Sequence, residues 1–149
     1  LEMDRQIMKW HRANELSRKL EGIPGVGPLV ATALAASIPD PSVFRSGRDL
    51  SAWIGLVPKQ NSSGGKEKLG GISKAGNRYL RQLLVVGALA VIKRAKLLGY
   101  TRHPWLVSLM ERRPAKVAAI ALANKMARIA WAMMSRNEAY RNMPATAGN

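Results

Sequence analysis

The sequence predicts an all-α domain of about six helices, and three observations predict it. Apolar residues recur at helical spacing along nearly the whole chain. Glycines and prolines fall largely between those periodic stretches. A chain of 149 residues, 47% of them hydrophobic, suffices for one packed core and not for two ordinary domains.

The elements follow in order. Met3, Ile7 and Trp10, continued by Leu16 and Leu20, mark an opening helix over residues 1–20, polar elsewhere, expected as an arm toward a neighbouring segment or subunit. Domain proper is expected over 21–141. It begins with Ile23-Pro24-Gly25-Val26-Gly27-Pro28, a tight turn, followed by an apolar helix from Leu29 to about Ser37 that Pro39-Asp40-Pro41 interrupts. Ser46 and Asp49 read as the cap and its partner for a short helix carrying Leu50, Trp53 and Ile54, closed by Gly55. From 56 to 73 the helical period vanishes among glycines, serines and lysines, so this stretch is an irregular loop or a β-hairpin. Ser73 reads as the cap of a long helix through Leu80, Leu84, Ala88 and Lys96 that Gly99 stops. A short helix near Pro104 to Glu111 follows, then a last one with Pro114 as its first residue, running through Leu122, Met126 and Met133. Residues 142–149 are small and polar and read as a frayed tail.

Charge gives the first indication of function. Twenty-four Lys and Arg against nine Asp and Glu leave a net +15. Residues 1–50 contribute only +1 of this, and residues 51–149 contribute +14 with three carboxylates, Glu67, Glu111 and Glu138. Such self-repulsion is tolerable when the natural partner is a polyanion, and the field speeds encounter with one. The absence of cysteine excludes disulfide scaffolds, cysteine-ligated zinc, thiol catalysis and iron–sulfur clusters. The longest apolar run, Leu83 to Ile92, is about half of the ~20 residues that a membrane helix needs. Leu1 to Arg12 has no apolar centre and does not read as a signal peptide, and the start at Leu1 rather than Met is expected for a piece of a longer protein.

Two stretches are candidates for chemistry. The turn at Gly25 and Gly27 resembles a helix-hairpin-helix unit: glycines let a phosphate approach the backbone, and the amides opening the next helix favour an anion. The same pattern also suits an ordinary interhelical turn. In Gln60-Asn61-Ser62-Ser63-Gly64-Gly65-Lys66, a hydroxyl stands beside paired glycines, with Lys66, Lys68, Lys74, Arg78 and Arg81 following. A serine attacking phosphate needs an exposed oxygen and cations aimed at the developing charge. A flexible Ser/Gly turn with a solvated lysine face has the same composition. The spacing of Gly and Lys is not that of a nucleotide-binding P-loop. His11 and His103 stand alone as surface or packing residues, and no carboxylate pair has metal-ligand spacing, so no metal site is expected in this chain.

The ordered set of motifs is similar to one family. Ile23 to Pro28 (IPGVGP), Phe44 to Pro58 (FRSGRDLSAWIGLVP) and Asn61 to Arg81 (NSSGGKEKLGGISKAGNRYLR) together resemble the C-terminal transposase domain of the insertion-sequence 110/116/902 group, which includes pilin-gene-inverting recombinases. The resemblance covers roughly residues 15–136. It implies a DNA recombinase acting through a serine; Ser63 matches the family position and Ser62 is the neighbouring candidate. It further implies a RuvC-like domain, absent from this chain, with an acidic metal site where Mg2+ is expected. A noncoding guide RNA, a homo-oligomer of the full-length protein and a bacterial cytoplasmic, nucleoid-associated setting without membrane contact are likewise expected. The alternative is a non-catalytic nucleic-acid-binding module using Lys93, Arg94, Lys96, Arg112, Arg113 and Lys116.

Overall fold

A computed structural model describes residues 2–57, 74–99 and 104–141, without the side chains of 74–77. The described residues form seven α-helices and no strand, which bears out the all-α class. They are α1 (Glu2–Ala13), α2 (Glu15–Leu20), α3 (Pro28–Ser37), α4 (Gly47–Ile54), α5 (Lys74–Leu98), α6 (Pro104–Arg112) and α7 (Ala115–Arg136), with a 3-10 turn at Pro41–Val43. The possible β-hairpin or loop around 56–73 and the tail from 142 lie outside the described residues, save Leu56 and Val57.

The expected single opening helix is two. Asn14 adopts an extended backbone and its side chain accepts a hydrogen bond from the Ser17 amide at 2.8 Å, so it caps α2 and separates it from α1. α1 packs on the neighbouring segments α2 and α3. His11, at the end of α1, is buried. Its Nδ1 lies 2.6 Å from Ser17 Oγ and its Nε2 lies 2.8 Å from Glu21 Oε1, which ties the two helices together. His11 is thus a packing residue with both ring nitrogens satisfied.

Caps read from sequence reappear with their geometry. Ser46 Oγ accepts from the Asp49 amide at 3.3 Å, and Gly55 ends α4 at φ +93, where a side chain is strained. The amide of Leu56 then bonds the Ser51 carbonyl at 2.9 Å, drawing Leu56 into the core. Gly99 ends α5 at φ +76. Pro114 stands one position earlier than expected: it is the cap of α7, with extended ψ, and Ala115 is the first helical residue. The Ser73 cap expected for α5 lies outside the described residues.

α7 is the central helix, packed against α4, α5, α6 and the 3-10 turn. Alanines 118, 119, 123, 127 and 130 on its buried face let neighbours approach closely. Gly47, opening α4, sits where a β-carbon would lie 3.1 Å from the Cα of Arg128. Trp131 Nε1 donates to the Pro41 carbonyl at 3.0 Å and Ser51 Oγ to the Asn124 carbonyl at 3.2 Å, pinning the 3-10 turn and α4 to α7. Lys125 lies 4.7 Å from the ring centre of Trp105, holding α6 on α7 through a cation–π contact. Burial and the neighbouring Arg128 lower the Lys125 pKa. By length and composition α7 could cross a membrane, yet half of its apolar window is buried in this core.

Candidate nucleic-acid interface

Of the residues singled out in sequence, Ser62, Ser63, Gly64, Gly65, Lys66 and Lys68 lie outside the described residues, and so does the side chain of Lys74, the first residue of α5. Gly25, Gly27, Arg78 and Arg81 are described, and they divide into two pairs.

Gly25 and Arg81 are used in packing. Gly25 takes φ +91, and the turn it forms is pressed onto the middle of α5. A β-carbon there would lie 3.0 Å from Val91 and Met126 side chains and 3.1 Å from the Gly87 carbonyl. Arg81 reaches the other way, toward the C-terminus of α4. Its guanidinium lies against Gly55 and donates to the Ile54 carbonyl at 3.4 Å, where the negative end of a helix dipole favours a cation.

Gly27 and Arg78 are open. Around Gly27, which caps α3, a β-carbon would meet nothing within 4 Å, and among the described residues no side chain caps α3 by a hydrogen bond at this position. Arg78 is exposed on α5 and forms no ion pair among the described residues.

The cations named for the alternative binding module form a wider arrangement. Neither α5 nor α7 contains a single Asp or Glu over 25 and 22 residues, respectively. Lys93, Arg94 and Lys96 are exposed near the end of α5, and Arg112, Arg113 and Lys116 are exposed where α6 passes into α7. Among the described residues of α5, α6 and α7, Glu111 is the one carboxylate. The detectable signal was this carboxylate-free composition of two long helices. Among the described residues, no three His, Asp or Glu side chains gather as a metal site. The exposed cations give this part of the molecule a field that attracts anions.

Comparison with known proteins finds relatives by sequence. A family described as Transposase IS116/IS110/IS902 matches residues 17–103. The chain is 49% identical over 130 residues to the transposase for insertion sequence element IS1111A of Coxiella burnetii, covering 87% of this chain and 36% of that protein. It is 37% identical over 139 residues to the transposase for insertion sequence element IS1328 of Yersinia enterocolitica, covering 93% of this chain and 42% of that one. A pilin gene-inverting protein of Moraxella bovis is 28% identical over 136 residues, 87% of this chain and 39% of its own length. The chain therefore spans about two-fifths of the length of these relatives. No solved structure matches.

Proposed function

The chain belongs to the transposase IS116/IS110/IS902 family, and from that premise we propose that it is the DNA-binding, serine-bearing part of a recombinase active site. The observation that carries the DNA reading is the pair of carboxylate-free helices, α5 and α7, in a chain of net charge +15. Exposed cations on helices that carry no carboxylate of their own fit the phosphates of a nucleic acid backbone.

In the proposed reaction, Ser63 Oγ, or Ser62 Oγ beside it, attacks a DNA phosphodiester. The Oγ–P bond forms as the P–O3′ bond breaks, and the hydroxyl proton ends on the departing O3′. The strand end is held as a phosphoserine until the 3′-hydroxyl of another strand displaces it and the proton returns to serine. Lys66, Lys68 and Arg78 steady the phosphate, and the turn between α2 and α3, through the open Gly27, receives a neighbouring backbone in the manner of a helix-hairpin-helix unit. A RuvC-like domain of the longer protein would complete the site, its acidic residues holding Mg2+, which would supply electrostatic stabilisation of charge at phosphate. Guide RNA and homo-oligomer formation belong to the same proposal, as does action on bacterial DNA in the cytoplasm.

The decisive experiment is recombination by the longer protein. Ser63→Ala abolishes it while leaving DNA affinity within about twofold. Activity that survives both Ser63→Ala and Ser62→Ala leaves only a binding module.

A further inference from the structure

α5 presents one solvent-facing line whose ends are cationic and whose middle is not. At 100° per residue, eighteen residues make five full turns, so Arg78 and Lys96 project from the same side of the helix. Gln82, Leu89 and Lys93 fall within about 60° to one side of that direction, while Val85 and Ile92, to its other side, pack in the core. Arg78, Gln82, Leu89, Lys93 and Lys96 are all exposed. At the far end, Leu89, Lys93, Lys96 and Leu97 of α5 and Ala115 of α7 line a cleft of about 500 Å3. Lys116, one residue beyond Ala115, is exposed. Among the described residues, neither Arg78, Lys93 nor Lys96 has an acidic partner, and α5 offers none.

Resting on the DNA reading above, we propose that this face of α5 is a two-point clamp on the phosphate backbone of duplex DNA. One grip is Arg78, and the other is the Lys93–Lys96 pair at the cleft beside α7. The separation of Arg78 and Lys96 along the helix is about 27 Å at 1.5 Å per residue. On B-form DNA that is about eight base-pair steps of 3.4 Å. Uncharged Gln82 and Leu89 lie between the grips, so the contacts are two localised ones and not a continuous charged ridge. Localised phosphate contacts fix the orientation of a duplex without reading its sequence.

The test is a salt titration of the chain with a labelled duplex of about 30 base pairs, with helical content followed by circular dichroism. Each neutralised phosphate contributes about 0.9 to the slope of log affinity on log salt. Replacing Arg78, Lys93 and Lys96 together by Gln is expected to shallow the slope by about 2.7 and to weaken binding about 10²–10³-fold at 0.1 M salt. Replacing the exposed α1 cations Arg5, Lys9 and Arg12 by Gln removes the same charge and is expected to change the slope by less than about one. Equal effects of the two triple variants overturn the clamp while leaving DNA binding standing. So does a slope change seen with an RNA duplex and not with DNA. A wild-type chain with a flat salt response sinks the DNA reading itself.

Discussion

The backbone carbonyl of Gly25 lies directly against Gly87, in the middle of α5, so closely that a β-carbon on Gly87 would overlap it. Two glycines far apart in sequence thereby create one contact, in which the turn between α2 and α3 is seated on α5. This relationship gives the first glycine of the IPGVGP motif a structural reason to be glycine, independent of any ligand.

Gly87→Ala is accordingly destabilising despite alanine's better helix propensity. The propensity gain is about 1 kcal/mol, whereas forcing a methyl group into a packed backbone costs about 1–3 kcal/mol or more, and a backbone carbonyl has little room to yield. A loss of about 2 kcal/mol is expected, seen as a Tm lower by about 6 °C in thermal unfolding. Gly27→Ser, at a position with open space, leaves Tm within about 1 °C.

Arg78 and Arg81 are three residues apart and are expected to respond oppositely. Arg81→Ala removes the cation at the end of α4 and costs about 1 kcal/mol of stability with little effect on the salt dependence of DNA binding. Arg78→Ala leaves stability unchanged and shallows the salt slope by about 0.9. Thermal unfolding and anisotropy titration of the two variants check both halves; a slope change confined to Arg81→Ala would reverse the assignment.

His11 joins α1 to α2 through Ser17 and Glu21, and its replacement loosens that corner first. His11→Ala leaves the buried Ser17 hydroxyl without its partner and opens a cavity, for about 2–3 kcal/mol. Hydrogen exchange should accelerate in α1 and α2 before α5 or α7.

Asp40 accepts hydrogen bonds from the Ser42 hydroxyl and amide at 2.7 and 3.0 Å, which hold its carboxyl below the ordinary aspartate value. A carboxyl lowered on folding contributes stability above its unfolded pKa, and that contribution is lost as pH falls through the lower folded value. Ser42→Ala removes the larger cause, so the Asp40 titration followed by NMR should move up toward the ordinary aspartate value.

Binding by the unaltered chain should be strongly salt-dependent. About six neutralised phosphates give a slope near −5 on logarithmic axes. A slope near zero in the same titration excludes a backbone-tracking surface.

The helices and their ends were legible because their causes are local. Apolar spacing, Ser46 before Asp49, Gly55 and Gly99 each act within a turn or two, so position in the chain is enough to see them. The charge asymmetry was legible too, since it is a property of composition. Asn14 was the local signal passed over: the apolar stripe continues across it, although its side chain offers the backbone a cap that ends one helix and begins another.

What composition and spacing determined, then, is an α-helical, strongly basic domain of recognisable family pattern. Only the folded chain decided which of its glycines and cations face outward. Gly25 meets Gly87, Arg81 meets Ile54 and His11 meets Ser17 and Glu21 through packing between separate helices. A one-dimensional pattern carries the preference of each residue for a helix or a turn, but the partner that a side chain finds depends on how those helices pack.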